Sequence, residues 1–147
     1  MIDDLDLKLI RSLQTNGRLS YIDLSKELDV VEGTIRRRMK QLIDGGIIRL
    51  AAIPNMQEMG YGFITIVGLR VQLSEKRQVA RLLASYKQIC FMASVTGQYD
   101  LMAIVIARNA SEYSQFLDEV NTLPGILGLE TYVSIEIIKG KWLMADV

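Results

Sequence analysis

Apolar and polar residues alternate along this chain in two rhythms, and the rhythm changes near residue 54. Before that point apolar positions recur every three or four residues. Ile2, Leu5, Leu9 and Leu13, widened by Ile10, predict a helix over residues 3–14. Acidic residues at its start suit the helix dipole, and Asn16-Gly17 stops it. Ser20 is placed to cap a second helix, whose apolar side is Ile22, Leu24 and Leu28. Asp29-Val30-Val31 reads as a short turn. A third helix, Glu32 to Ile43, puts Ile35, Met39, Leu42 and Ile43 on one side. Gly33, Thr34, Arg37, Lys40 and Gln41 fall on the other, with Arg36 and Arg38 at the boundary. After Asp44-Gly45-Gly46, the residues Ile47, Ile48, Leu50, Ala52 and Ile53 read as an extended wing with Arg49 projecting. Three helices, the last two joined by a tight turn and followed by a strand, predict a winged helix-turn-helix over residues 1–53.

Residues 54–62 (PNMQEMGYG) hold one of the two prolines and two glycines, and read as a hinge. From 63 to 147 the period is mostly two. Phe63, Thr65, Val67, Leu69, Val71 and Leu73 alternate with Ile64, Ile66, Gly68, Arg70 and Gln72. A helix capped by Ser74 follows, with Val79, Leu82, Leu83 and Tyr86 inward. Strands over 89–95 and 101–107 come next, joined by Thr96-Gly97-Gln98-Tyr99. A helix capped by Ser111 turns Tyr113, Phe116, Leu117, Val120 and Leu123 inward, and Pro124-Gly125 ends it. A last strand alternates Leu129, Thr131, Val133, Ile135 and Ile137 with Glu130, Tyr132, Ser134 and Glu136. The order β-α-β-β-α-β predicts an α+β, ferredoxin-like domain with both helices on one sheet face. LMAIVIA (101–107) is apolar on both sides, so the helix-free face needs cover too, and we expect a second copy of the chain to supply it.

Charge sharpens this picture. Net charge is zero, yet Ile35 to Arg49 holds five cations against the single anion Asp44, leaving the rest of the chain acidic. A helix with an apolar back, a small-residue start and a row of cations suits a DNA major groove. Thr34, Arg37 and Gln41 are then placed for base edges, with Gly33 among the DNA-binding residues at the small-residue start of the helix. Arg36, Lys40, Arg18 and Ser20 are placed for phosphates, with the Tyr21 hydroxyl as a weaker contact. Arg38, nearer the apolar side, both braces the domain and contacts DNA. The competing reading is a solvated basic surface helix.

The chain has no histidine, which removes the commonest general base and metal ligand and lowers the expectation of catalysis. Its one cysteine, Cys90, excludes an internal disulfide and reads as a structural thiol. No charge-free apolar run approaches the roughly 20 residues of a membrane span, and the acidic MIDDLDLK opening is unlike a signal peptide. We expect a cytoplasmic protein with no metal, no cofactor and no membrane partner.

IDDLDLKLIRSLQTNGRLSYIDLSKEL, EGTIRRRMKQLIDGGII, TGQYDLMAIV and LPGILGLETYV follow one another in an order and spacing that resembles the Lrp/AsnC (feast/famine) family of transcription regulators. The resemblance implies a sequence-specific regulator, not an enzyme: a DNA-binding domain, a hinge, and a sensing domain whose effector is an amino acid or related small metabolite. It implies homodimers that often build octamers, with the effector bound where sensing domains meet. It carries the ligand loop onto Gly97, Tyr99 and Asp100, and a polar ligand-site position onto Thr131.

The chemistry suits a zwitterion: Asp100 for the ammonium, Gly97 for close backbone approach, Thr96 and Thr131 for hydroxyls. The competing reading makes Gly97 to Asp100 a plain turn, with Asp100 capping backbone amides. The chain departs from the family at Val31, where a capping serine is common, at Gln98 in the ligand loop, and at Leu129 in place of a hydroxyl. Two other functions stay open. One is a sirohaem-decarboxylase-like enzyme, disfavoured by the missing histidines. The other is an architectural DNA-binding protein without an effector.

Overall fold

The computed structural model describes residues 2–139 of the 147-residue chain. Two compact units form, Met1–Ala51 and Ala52–Val147. In the first, α1 (Asp4–Thr15), α2 (Tyr21–Leu28) and α3 (Glu32–Asp44) close around Leu9, Leu24, Ile35, Met39 and Leu42. These are the centres of the predicted apolar stripes; Ile22 and Ile43, expected on the same sides, lie at the stripe edges and are exposed. Local signals start the first two helices. Asp3 and Asp6 form a capping box on α1, as do Ser20 and Asp23 on α2. Asp29, in the left-handed region at φ 52°, turns the chain between α2 and α3.

The expected wing strand is absent: residues 47–53 form no ladder, and Ile47, Leu50 and Ile53 are exposed. A strand needs a partner edge, and the three helices of this unit offer none. Ile48 alone turns back, packing against the helical core.

The second unit runs β1 (Phe63–Val71), α4 (Lys76–Leu83), β2 (Ile89–Ser94), β3 (Leu101–Ala107), α5 (Ala110–Asn121) and β4 (Ile126–Val133). The four strands form one antiparallel sheet in the order β2-β3-β1-β4, the predicted βαββαβ topology. Val67, Leu69, Val71, Ala103 and Val105 meet Val79 and Leu83 of α4 and Tyr113, Phe116 and Val120 of α5. Details differ from expectation in four places. Glu75, not Ser74, is the N-cap of α4, and it makes no side-chain cap bond. Asn109, not Ser111, caps α5, accepting from the Glu112 N–H at 2.9 Å. Leu82 is exposed rather than inward. β4 starts at Ile126 and ends at Val133, so Ile135 and Ile137 lie beyond it.

Part of the helix-free face is covered by the chain itself. Met56, from the segment read as a hinge, is 1% exposed and packs on Ile64 and Ile106, with Tyr61, Cys90, Ile104 and Ile137 around it. Burial pushes the Cys90 thiol up, and its S–H donates to the Ile104 carbonyl at 3.3 Å. Ile66, Phe91 and Tyr132 stay open on the same face. Among the described residues no helix is long and apolar enough to cross a membrane.

Candidate functional site

On α3 the predicted division of faces holds except at Ile43, which is exposed, and the cations have different partners. Arg37 and Gln41 are exposed and Thr34 half-buried, all away from the buried Ile35, Met39 and Leu42. Arg36 pairs with Glu32 one turn back at 2.7 Å and lies over the Tyr21 ring at 5.1 Å. The ring holds the guanidinium by cation–π attraction, which makes Tyr21 a support for Arg36. Lys40 reaches Asp44 at 2.6 Å, and that bond raises its pKa.

Arg38 faces the protein. Its guanidinium meets Asp3 at 2.6 Å and Asp6 at 3.2 Å, and Asp6 is only 4% exposed. Asp3 is held below the ordinary carboxylate value by the Asp6 N–H first and by Arg38 next, against a desolvation that opposes them. Arg38 therefore ties α3 to the start of α1, the brace part of its expected role.

Arg18 and Ser20 are exposed at the start of α2. Ser20 is committed to its capping box: its hydroxyl donates to Asp23 at 2.6 Å and accepts from the Asp23 N–H at 3.1 Å. The Ser20 hydroxyl also holds the Asp23 carboxyl below its ordinary value. Around Gly33 the space is open: an added Cβ would meet nothing within 4 Å.

The residues expected to hold an effector are divided between two sheet faces. Thr131 pairs with Val67, a core residue, so it lies on the helix-covered face. Glu130 pairs with Gly68 and Tyr132 with Ile66, on the opposite face. The loop sends Tyr99 to that second face, where its hydroxyl reaches Glu130 at 2.5 Å and Tyr132 at 2.8 Å. The Glu130 bond, then the Tyr132 bond, pushes the Tyr99 hydroxyl far above its ordinary value. Tyr99, and then Tyr132, hold Glu130 low in turn, with a smaller contribution from Arg70. Arg70 lies over Gly128, where a Cβ would come within 2.9 Å of its guanidinium.

Asp100 does what the plainer reading expects. Its carboxylate accepts from the Val71 N–H at 2.9 Å, tying the loop to the end of β1. Thr96, Gly97 and Gln98 are exposed, and Gly97 takes φ 116°, a conformation that suits glycine. Sequence reading missed Arg70, Glu130 and Tyr132. The available signal was the strict alternation of the last strand, which sets Glu130 and Tyr132 apart from Thr131.

A cavity of about 550 Å³ lies elsewhere on this unit. Tyr61, Tyr86, Lys87, Arg108 and Glu112 are among its lining, and none of residues 96–100 is. Arg108 sits over the Tyr61 ring at 5.5 Å, and Glu112 accepts from the Arg108 backbone N–H at 2.8 Å. The volume falls in the roughly 300–1,000 Å³ range of small-molecule sites.

Comparison with known proteins agrees with this division into two functional units. A winged helix-turn-helix DNA-binding model matches residues 2–49, and the Lrp/AsnC ligand binding domain model matches residues 64–142. An uncharacterized HTH-type transcriptional regulator of Pyrococcus furiosus is 34% identical over 94% of this chain and 94% of its own. The HTH-type transcriptional regulator FL11 of the same organism is 30% identical over 95% of this chain and 93% of its own. Among solved structures, AsnC of E. coli superposes with a TM-score of 0.89 at 23% identity, covering 95% of this chain and 96% of that one. A Neisseria meningitidis regulator solved as its L-Met complex has a TM-score of 0.88 at 23% identity, covering 95% and 94%.

Proposed function

Because the chain belongs to the Lrp/AsnC family of transcriptional regulators, we propose that it binds specific DNA sites through α3 and changes its assembly geometry when an amino acid or related metabolite binds. The observation that carries the DNA half is the outward row of Thr34, Arg37 and Gln41, backed by a fully buried Ile35 and Met39. In this reading those three meet base edges. Arg36, Lys40 and Arg18 meet phosphates, Ser20 and Tyr21 hold the supporting geometry, and Arg38 holds α3 in place. The chain acts as a regulator rather than an enzyme, and we expect it in the cytoplasm with no cofactor apart from its effector.

The sensing half rests on the open-face cluster. Glu130 offers a carboxylate to an ammonium group and Arg70 a guanidinium to a carboxylate, with Tyr99 between the loop and the sheet. Thr96, Gly97 and Gln98 border this patch in the loop, while Asp100 shapes it. The neighbour solved with L-Met supports an amino-acid effector. The exposed Ile66, Phe91 and Tyr132 support self-association through this face, a homodimer at least and an octamer in the fullest assembly. A second reading seats the effector in the Tyr61–Arg108 cavity, and its support is that this cavity is already formed in one chain.

Fluorescence anisotropy on the DNA upstream of its own gene, against a shuffled duplex, tests the proposal. We expect salt-dependent preference for the upstream DNA, shifted by a pool of the common amino acids. Loss of that shift in Glu130→Gln, with Arg108→Gln unaffected, supports the open-face site, and the reverse supports the cavity. Equal affinity for both duplexes at every salt concentration overturns the regulator proposal.

A further inference from the structure

Among the described residues three of the five helices start on a side-chain cap, and α3 and α4 do not. α1, α2 and α5 begin on side-chain caps from Asp3, Ser20 and Asn109. The N-cap of α3 is Val31, which makes no side-chain cap bond. A valine there forgoes about 1 kcal/mol of helix stability relative to a capping residue. Nor does Val31 compensate by burial. It is 77% exposed, more than Ile22, Leu50 or any other large apolar side chain among the described residues of this unit. The preceding residue, Val30, already packs into the helical core that contains Ile35, the arrangement of a hydrophobic staple. Two positions on, Gly33 stands within the first turn, where alanine would suit the helix better and nothing in the chain occupies the space.

An apolar side chain kept in water and a missing methyl two residues later make sense against an outside surface. Local rules fail most often at functional sites. The first residues of a recognition helix are those that meet base edges, and the one apolar feature of the major-groove edge is the C5-methyl of thymine. Resting on the reading of α3 as the DNA-reading helix, we infer that Val31 is a specificity-determining residue that packs its methyl groups on a thymine methyl. Gly33 provides the room for α3 to come that close. Val31 donates and accepts no hydrogen bond through its side chain, so it selects thymine by shape and apolar contact alone.

The test separates this inference from the reading beneath it. Full-length wild type, Val31→Ser and Val31→Ile are each used to select binding sites from random duplex DNA. Each thymine of the wild-type site is then replaced singly by uracil, which lacks only the methyl. We expect one such replacement to weaken wild-type binding about three- to fivefold, the ratio implied by burying one methyl group. Val31→Ile keeps the discrimination. Val31→Ser loses it while melting no lower than wild type, because serine restores the cap. Uracil tolerated at every position of an enriched site, or full discrimination retained by Val31→Ser, overturns the inference alone. A wild-type selection that enriches no sequence overturns the DNA-reading role of α3 and this inference with it.

Discussion

The ring of Tyr99 occupies the space where a side chain on Gly68 would stand: a Cβ added to Gly68 would come 2.7 Å from the ring. The glycine is in a strand with ordinary backbone, so close approach is its reason for being there. Gly68→Ala should displace Tyr99 and destabilise the second unit by about 1–3 kcal/mol, the usual cost of overpacking. Urea denaturation measures this. The double variant Gly68→Ala/Tyr99→Ala should lose less than the sum of its two single changes. Strict additivity would show that the ring and the glycine are independent.

The hydroxyl end of the same ring sets a pH dependence. Glu130 is held below the ordinary carboxylate value by Tyr99. Its contribution to stability is complete above that ordinary value and is lost as pH falls through the lowered one. Tyr99 is raised, so its share is complete below the ordinary tyrosine value and fades as pH rises through the raised one. Carbon-detected NMR titration should find Glu130 titrating low in wild type and closer to ordinary in Tyr99→Phe. An unmoved midpoint in that variant would sink the assignment.

Removing Arg38 leaves the buried Asp6 without its cation. Because Arg38 keeps 24% of its side chain accessible, the loss should be smaller than for a fully enclosed pair. We expect Arg38→Met to cost about 1–3 kcal/mol in thermal or urea unfolding of the first unit. Adding Asp6→Asn should recover part of it. A double variant no more stable than Arg38→Met would mean that the arginine acts through packing.

On the exposed side of α3, Arg37 and Lys40 should separate. Arg37→Ala should narrow the affinity gap between an enriched site and random DNA by about 1–3 kcal/mol. Lys40→Ala should weaken both duplexes alike and reduce the salt slope by about 1. Anisotropy titrations across a salt series read both effects. Identical losses on both duplexes for both variants would reverse the roles given to these side chains.

Gly33→Ala should raise helix stability by about 0.5–1 kcal/mol, since nothing in the chain opposes the new methyl. The same change should weaken specific DNA binding by filling the space beside Val31. A variant that melts higher and binds as well as wild type would remove the close-approach argument for this glycine.

How much is legible in the sequence follows from the range of each interaction. Helix starts such as Ser20, the three apolar stripes and the order of strands depend on neighbours a few residues apart, so the linear chain displays them. The same arithmetic places Arg38 near the apolar side of α3. Its partners, Asp3 and Asp6, lie more than thirty positions earlier, and no local pattern names them. The wing strand is over-read because alternating apolar residues show a tendency to extend, whereas a ladder also needs an edge to bond to.

The sequence by itself determined the two-unit division, the βαββαβ order, the basic face of α3 and the family. These rest on periodicity, turn residues and motif spacing, which the chain carries locally. Only the tertiary structure decided which side chains meet. Pairing of β4 with β1 puts Thr131 opposite Val67 and Glu130 opposite Gly68, so the loop can join Glu130 and Tyr132 but not Thr131. In a sheet, neighbouring residues face opposite ways and register assigns each its partner. That register is a property of two strands about sixty residues apart, and it exists only once they have come together.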